Sequence, residues 1–296
     1  MRVNPNSMPD LLTALSATQQ QQDTELLQLS TGRRVNQPSD DPAAEAQLIE
    51  NNADSAQVDS FQQSLSSING QFQTADSTLS SIETQMQRAI TLGTQAANQG
   101  TLSDSDRLAI ANELQGIQNQ LVSLANTSYQ GVFLFSGTVQ TQPFVVDASV
   151  PSGVRYAGNT GVNKVTVGAG YQIQVNQPGS QLFSASGSDI FQSMTDLIQS
   201  IQTNSNIGNS VAEVNKAFTY LSTQRVFFGN AMNQVTSQQN FLSSETVELS
   251  TQENTIAGAD ISVVASNLVQ TENAQQAALQ AIGRMPVTSL FDFLQE

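Results

Sequence analysis

A proline-free stretch at residues 210–282 most constrains what this chain can fold into. Within residues 211–256, core-type positions recur at alternating steps of three and four, the heptad pattern of helices that pack along one another. Such a helix would be about 69 Å long, so it needs another long helix beside it. Ser210 and Glu213 have the spacing of a capping box and predict the start of this helix. The seam consists of Val211, Val214, Phe218, Leu221, Arg225, Phe228, Met232, Val235, Gln239, Leu242, Thr246, Leu249, Glu253 and Ile256.

A second seam at residues 58–96 supplies the expected partner helix. Asp41 followed by Pro42 is a helix-start signature upstream of it. Its last positions are the small residues Ala89, Gly93 and Ala96, which would let another helix approach closely. From the two seams we predict a helical core of Phe61, Leu65, Ile68, Phe72, Leu79, Ile82, Phe218, Leu221, Phe228, Leu242 and Leu249.

The two ends of the chain carry weaker, more polar seams. One runs through Met8, Leu12, Leu15, Gln19, Gln22, Leu26 and Leu29. The other follows a five-residue step across Gly258 and runs through Ile261, Val264, Leu268, Thr271, Gln275, Ala278 and Ile282. Helices this polar are marginal alone. We therefore expect the terminal helices to face one another and other subunits.

The apolar period changes to two between these helical regions. Strands are predicted at residues 132–135, 144–146, 165–167 and 171–175, and short helices at 104–124 and from Asp189 to Ile201. The predicted fold is mainly α, with long antiparallel heptad-packed helices from both chain ends and a small inserted β domain. We divide the chain into a terminal helix (1–41), a helical domain in two parts (42–135 and 188–258), an inserted β domain (136–187) and a C-terminal helix (259–296).

Composition excludes several classes of function. The chain has no cysteine and no histidine, so thiol chemistry, Cys or His metal sites and a Ser-His-Asp triad are absent. Ten Lys plus Arg against 25 Asp plus Glu give a net charge of −15, which disfavours nucleic-acid binding. No stretch reaches 18 consecutive apolar residues, so no membrane insertion is expected. We find no catalytic constellation and expect no cofactor.

A few charges lie at unexpected positions. Arg225 and Glu253 fall within the long seam, where we expect them to reach its edge or to pair across it. Arg33 and Arg34 are interpreted as intersubunit or solvated charges.

Two long stretches resemble the signatures of the bacterial flagellin family. Residues 29–47 read LSTGRRVNQPSDDPAAEAQ, and residues 259–278 read ADISVVASNLVQTENAQQAA. Within the family, residues 100–107, 121–127 and 133–138 look most like the hook-associated members found at the hook–filament junction. The resemblance carries an assembly role to Leu29, Gly32, Arg33, Asp40, Asp41, Pro42, Asp260, Ser266, Asn267 and Leu268.

This resemblance implies a non-enzymatic structural subunit of the extracellular flagellum. It would form a homo-oligomeric ring between hook and filament, touching the adjacent hook-associated junction protein and flagellin. Export would use the flagellar type III apparatus without a cleaved signal peptide. An export chaperone would bind the C-terminal region, for which the candidates are Leu290, Phe291, Phe293 and Leu294.

Other functions remain open on the sequence. A filament flagellin would carry the same helical signatures. A coiled-coil tip protein of a virulence secretion system would need an apolar membrane-inserting segment. An enzyme would need activity in the β insert, which is poor in titratable groups.

Overall fold

The structure is a computed structural model, which describes residues 7–98 and 103–284. The chain forms two compact units. Residues 1–57 and 245–296 belong to the first, here called the terminal unit, and residues 58–244 form the second, the central unit. Seven helices are present in the described residues: α1 Ser7–Thr31, α2 Pro42–Asn98, α3 Asp104–Ala125, α4 Gly179–Leu182, α5 Ile190–Gln202, α6 Ile207–Ala257 and α7 Ile261–Gly283. Six short strands lie between α3 and α4: β1 Ser128–Tyr129, β2 Val132–Phe133, β3 Phe144–Val146, β4 Val154–Tyr156, β5 Lys164–Gly168 and β6 Tyr171–Gln174.

The predicted fold class is confirmed. The two heptad seams form the long helices α2 and α6, and the five-residue step at Gly258 separates α6 from α7. Across residues 7–98 and 103–284, none of the helices has the length and hydropathy needed to cross a bilayer.

Helix starts follow local capping chemistry at three places. Ser103 and Asp106 form a reciprocal capping box at α3. Asp189 accepts the N–H of Gln192 at the start of α5, and Asp260 caps α7. These carboxylates and hydroxyls satisfy backbone donors that the helix itself leaves unpaired.

The predicted start of α6 is wrong. The helix begins at Ile207, so Ser210 is already inside it, and the Ser210 hydroxyl bonds the Ser200 hydroxyl at 2.6 Å. Asn204 and Asn206 take positive φ values of 51° and 56°, which turn the chain sharply after α5. The carbonyl of Asn206 then accepts the N–H groups of Asn209 and Ser210. Because Asn206 supplies the first carbonyl of the helix, Ser210 is not its N-cap residue.

The α2 and α6 helices share an apolar core in the central unit. The rings of Phe72 and Phe228 meet edge to face, with centroids 6.1 Å apart. Phe61 and Phe218 are only half-buried. Of the other residues predicted for the helical core, all are buried: Leu65, Ile68, Phe72, Leu79, Ile82, Leu221, Phe228 and Leu242 in the central unit, and Leu249 in the terminal unit.

A close approach of helices occurs at Gly93, as the small residues of the seam predict. A β-carbon placed on Gly93 would lie 2.7 Å from Val211 Cγ2 and 3.1 Å from Leu197 Cδ1. Both distances are shorter than ordinary van der Waals contact between carbon atoms. Glycine at this position therefore lets α5 and α6 pack directly onto the α2 backbone.

The β region consists of three separate antiparallel hairpins, β1–β2, β3–β4 and β5–β6. Two strands were not predicted, β1 and β4, and β4 pairs with β3 in the register Phe144↔Tyr156 to Val146↔Val154. Only Val154 of this three-residue strand is buried, so its apolar period is too short to detect.

An aromatic cluster attaches the hairpins to the helices. The ring centroid of Phe144 lies 5.2 Å from that of Phe191 in α5 and 5.5 Å from that of Phe183. The ring centroids of Phe135 and Phe183 are 5.1 Å apart. The β3–β4 hairpin thus shares its core with α5, which explains how its short strands stay folded.

Candidate assembly site

The segment after α1 pairs with the segment after α6 in the terminal unit. Gly32 ends α1 with a positive φ of 69°, which glycine adopts without steric cost. The Arg34 N–H donates to the Ala257 carbonyl at 2.6 Å, and the Ala259 N–H donates to the Gly32 carbonyl at 2.9 Å. An antiparallel bridge therefore joins the segment that follows α1 to the segment that follows α6, at Arg33 and Gly258. We call residues 32–48 and 253–260 the terminal clasp.

Buried apolar side chains from both segments of the terminal clasp pack against one another. Val35, Ala44, Leu48 and Ala257 form a buried cluster, and Ile256 packs against it. This cluster was not predicted, although the sequence contains a signal for it. Continuing the second seam backward from residue 58 in steps of three and four reaches 55, 51, 48 and 44.

Asn51 occupies one of these upstream seam positions. It is buried, and its Nδ2 donates to the Leu249 carbonyl at 3.2 Å. This hydrogen bond joins α2 to α6 within the terminal unit. Breaking it would leave a buried donor without a partner, which costs free energy.

Both arginines of the clasp have partners within the chain and keep part of their surface in water, and a role for them between subunits stays a prediction. Arg33 pairs with Glu253 at 3.0 Å. The Arg34 guanidinium contacts Asp41 and donates to the Ile256 carbonyl, each at 3.0 Å. All these groups keep considerable exposure to water, so each pair contributes little stability.

The two aspartates before Pro42 have distinct structural tasks. Asp41 Oδ1 accepts the Ala44 N–H at 3.1 Å, which caps α2. That hydrogen bond, followed by the contact with Arg34, lowers the pKa of Asp41 below its usual value. Asp40 Oδ2 accepts the N–H groups of Asn36 and Gln37 at 3.0 and 2.9 Å. Together they hold the turn that leads into α2, whose first residue is Pro42.

The residues of the C-terminal signature lie on α7. Asp260 Oδ1 accepts the N–H groups of Ser262 and Val263 at 2.9 and 3.2 Å and so caps the helix. Ser266 and Asn267 are exposed, and Leu268 is half-buried.

Helices α1 and α7 pack against each other, and the less exposed face of α1 coincides only in part with the predicted seam. The predicted seam residues Leu12, Leu26 and Leu29 are exposed. The less exposed positions are 11, 15, 18, 22, 25 and 28, of which Leu15 and Gln22 belong to the predicted seam. Leucines lie on both faces of α1, so the pattern alone does not select a face and the contact with α7 decides.

This choice places a carboxylate within the polar seam of α1. Glu25 is 6% exposed, and Gln21 Nε2 donates to its Oε1 at 3.1 Å. The buried residues of α7 are Val264 and Thr271. A seam this polar contributes little hydrophobic stabilisation to the helix pair.

Large apolar side chains of the terminal unit consequently face outward. Leu12 and Val269 are 52% and 56% exposed. We call the following set the outer apolar residues: Leu12, Leu26, Leu27, Leu29, Val263, Val269 and Leu279. Several exposed apolar side chains on one helix pair are typical of a surface that another chain covers.

No chemical site accompanies this arrangement in the described residues. Within 7–98 and 103–284, no three acidic side chains come close enough to hold a metal ion. The chaperone-binding candidates Leu290, Phe291, Phe293 and Leu294 lie outside the described residues.

The fold and the clasp define a helical structural protein whose helices α1 and α7 pack together and expose apolar side chains. The bacterial flagellin N-terminal helical region matches residues 4–140, and the bacterial flagellin C-terminal helical region matches residues 211–294. The chain belongs to the bacterial flagellin family.

Similar proteins refine this family assignment. Flagellar hook-associated protein 3 of Escherichia coli K12 is 27% identical over 293 residues, covering 89% of this chain and 90% of that protein. The protein of the same name from Salmonella typhimurium LT2 is 29% identical with the same coverage. The crystal structure of the flagellar junction protein FlgL from Legionella pneumophila has a similar fold, with a TM-score of 0.58, 16% identity, and coverage of 72% of this chain and 100% of that one.

Proposed function

We propose that this protein is a structural subunit of the bacterial flagellum that forms the junction ring between hook and filament. The observation that carries the proposal is its similarity to the two proteins named flagellar hook-associated protein 3, which extends over nearly their whole length. Family membership argues against a virulence tip protein and against an enzyme.

The outer apolar residues support an assembling subunit. Each large apolar side chain that moves from water into a contact gains about 1.5–3 kcal/mol when fully buried. Copies of the same chain, the adjacent hook-associated junction protein and flagellin are the partners that we propose for this surface. In that role the protein lies outside the cell.

Deletion of the gene tests the proposal directly. We expect hooks without filaments, and flagellin released into the medium as unassembled protein. Adding back the purified protein should let filaments grow on those hooks. If flagellin itself disappears from the medium, the protein is the filament subunit and the junction assignment falls.

Labelling of intact flagella gives an independent answer. Antibody against this protein, carried on gold particles, should mark one spot at the hook–filament boundary in electron micrographs. Label along the whole filament would instead identify a flagellin.

The C-terminal residues supply the proposed chaperone contact. Replacing Leu290, Phe291, Phe293 and Leu294 together by serine should abolish co-purification with the export chaperone and reduce secretion. Replacing Leu12 and Leu26 by serine is the matched control, because these exposed leucines belong to the assembly surface. Secretion should persist in the control, while filament attachment is lost. Unchanged chaperone binding by the C-terminal variant would remove this part of the proposal.

A further inference from the structure

A cavity of about 450 Å³ lies between α3, α5 and the β3–β4 hairpin in the central unit. Its floor is aliphatic, with Val122, Val154 and Ile198 buried beneath it. Its volume falls within the range of about 300–1,000 Å³ usual for binding pockets. Exposed carboxamides from two helices surround its mouth, which are Gln115 and Asn119 on α3 and Gln199 and Gln202 on α5.

Buried hydrogen bonds hold this cavity in shape. Gln118 is 6% exposed, and its Nε2 donates to Thr195 Oγ1 at 2.8 Å. Thr195 in turn donates to the Ser152 carbonyl at 2.9 Å. Since these bonds join α3, α5 and the hairpin turn, the cavity is formed without an occupant.

The carboxamides at the mouth keep hydrogen-bonding capacity for a ligand. Gln115 Nε2 donates to the Gln118 oxygen at 3.1 Å and to the Asn119 oxygen at 3.4 Å. The Gln115 oxygen and the Asn119 nitrogen are left available by these bonds. Within the part of the chain that the structure describes, the side chains of Gln199 and Gln202 make no hydrogen bond. Since a carboxamide has both an acceptor and donors, the mouth offers both to one ligand.

No charge lines the cavity. None of its lining residues is titratable, although three charged residues are their neighbours in sequence. Asp147 and Arg155 pair with each other at 3.1 Å. Asp196 lines a separate depression and accepts a hydrogen bond from Gln192 at 2.8 Å. A charged ligand would therefore lose hydration without gaining an opposite charge, so a neutral ligand fits better.

The edge of β3 adds one open backbone position to the cavity. Phe144 uses its outer edge fully, because its N–H donates to Asn126 Oδ1 at 2.9 Å and its carbonyl accepts from Asn126 Nδ2 at 2.8 Å. Backbone groups alternate in direction along a strand, so Val146, which lines the cavity, directs its own to the same edge. The strand then ends in a turn closed from Val150 N–H to the Asp147 carbonyl.

A single open position favours a compact ligand over an extended peptide. A peptide that adds a strand to a sheet edge binds through a row of backbone hydrogen bonds. Here the Asn126 side chain on one side and the turn on the other interrupt that row. A compact ligand needs no such row.

A sugar ring has the matching chemistry. Its C–H face is apolar, which suits the floor at Val122 and Ile198. Its hydroxyl groups both donate and accept, as the carboxamides around the mouth do. A wholly apolar ligand would instead cover these carboxamides and leave them without partners, at a cost in free energy.

We propose that this cavity binds a neutral sugar ring, with the carboxamides of Gln115, Asn119, Gln199 and Gln202 bonding its hydroxyl groups. This ligand site is additional to the junction role and does not depend on it.

Saturation-transfer NMR on the purified full chain tests the site. The neutral probes are glucose, galactose, mannose, N-acetylglucosamine and N-acetylgalactosamine, and the charged probes are glucuronate and glucosamine. At least one neutral sugar should bind with a dissociation constant in or below the millimolar range. The charged sugars should bind at least about tenfold more weakly, because the cavity holds no counter-charge. No binding of any neutral sugar, or equal binding of the charged ones, overturns the proposal.

Substitution at the mouth locates the bound sugar. Asn119→Ala combined with Gln199→Ala should raise the dissociation constant at least about tenfold, because hydrogen bonds from both helices are lost. Asn112→Ala combined with Gln120→Ala is the matched control, since these exposed carboxamides of α3 do not line the cavity. Thermal unfolding verifies the fold of both variants. Unchanged binding by the mouth variant would place the sugar elsewhere and contradict the proposal.

A capped, uncharged tripeptide of alanine tests the competing kind of ligand. If it binds more tightly than every sugar and loses affinity in the mouth variant, the cavity is a peptide site and the sugar assignment is overturned. All these measurements use the isolated chain. Their failure therefore leaves the junction role intact, and gold label along the filament would leave the sugar site intact.

Discussion

Arg225 on α6 binds Asp76 on α2 through two parallel hydrogen bonds, from Nε to Oδ1 at 2.6 Å and from the second guanidinium nitrogen to Oδ2 at 2.8 Å. A third bond reaches Glu83 at 2.8 Å, and the Ser222 hydroxyl donates to the same carboxylate at 2.7 Å. These bonds raise the pKa of Arg225, with Asp76 as the largest cause. The planar guanidinium can make both hydrogen bonds to Asp76 in only one orientation, so this contact fixes the register between α2 and α6.

Replacing Arg225 by methionine should cost about 1–3 kcal/mol in the free energy of unfolding. That is less than for a fully buried pair, because the side chain is 29% exposed. The loss arises because Asp76 and Glu83 then lie close together without a cation. Urea unfolding measures it.

Arg88→Met is the control for this prediction. Arg88 pairs with Glu113 at 2.7 Å, but both side chains are about half exposed. We expect a change of about 0–1 kcal/mol. Equal losses for the two arginines would show that the Arg225 network does not differ from a surface ion pair.

Phe72→Ala should cost about 3–5 kcal/mol, because it leaves a cavity opposite Phe228 that the two helices cannot close. Val226→Ala, at an exposed position of α6, should change stability by less than about 0.5 kcal/mol. Chemical denaturation of both variants checks the contrast. A loss under about 1 kcal/mol for Phe72→Ala would place this residue outside the core.

Two glycine substitutions should have opposite signs. Gly93→Ala should destabilise by about 1–3 kcal/mol, because the new β-carbon would lie 2.7 Å from Val211 Cγ2. Gly116→Ala should stabilise by about 0.4–1 kcal/mol, since this helical glycine has nothing within 4 Å of the added carbon. Melting temperatures provide the comparison. Stabilisation by both changes would mean that α2 and its neighbours are not in close contact at Gly93.

Asp189→Asn should make the protein at least as stable at neutral pH as the original chain. Burial raises the pKa of Asp189. The folded state therefore binds this proton more tightly than the unfolded state, and stability is lost as the pH rises from below 3.8 through the raised pKa. Asparagine keeps an oxygen for the Gln192 N–H without the charge. Its advantage should fade towards pH 3 in urea unfolding series.

Asp41→Asn should show the opposite trend with pH. Hydrogen bonding from Ala44 and then from Arg34 lowers the pKa of Asp41. Its contribution to the stability of the folded state is therefore present above pH 3.8 and is lost as the pH falls through the lowered pKa. Urea unfolding at several pH values measures both trends. If the difference in stability between variant and original chain changed with pH in the same direction for Asp189→Asn and Asp41→Asn, the causes assigned to the two pKa shifts would be contradicted.

Much of the helical architecture could be predicted because its signals are local or periodic. The steps of three and four identified α2 and α6 as partners. Ser103, Asp189 and Asp260 cap helices through acceptors that lie within three residues of the donors they satisfy. Gly258 marks the end of α6 because a change of phase is visible in the pattern itself.

Tertiary contacts decided the remaining features. The face of α1 that meets α7 could not be predicted, because leucines lie on both sides of the helix. The partners of Arg33 and Arg225 could not be predicted either, since Glu253 and Asp76 are far away in the chain. The strand β4 exists through its pairing with β3 and has almost no pattern of its own.

The sequence by itself determined which segments are helical, where several of them begin, and that two long seams need one another. It could do so because helical period and capping depend on neighbours along the chain. The tertiary structure decided which side chains remain uncovered. Leu12 is exposed because burial depends on groups that are close only in space, and the outer apolar residues support the proposed assembly role.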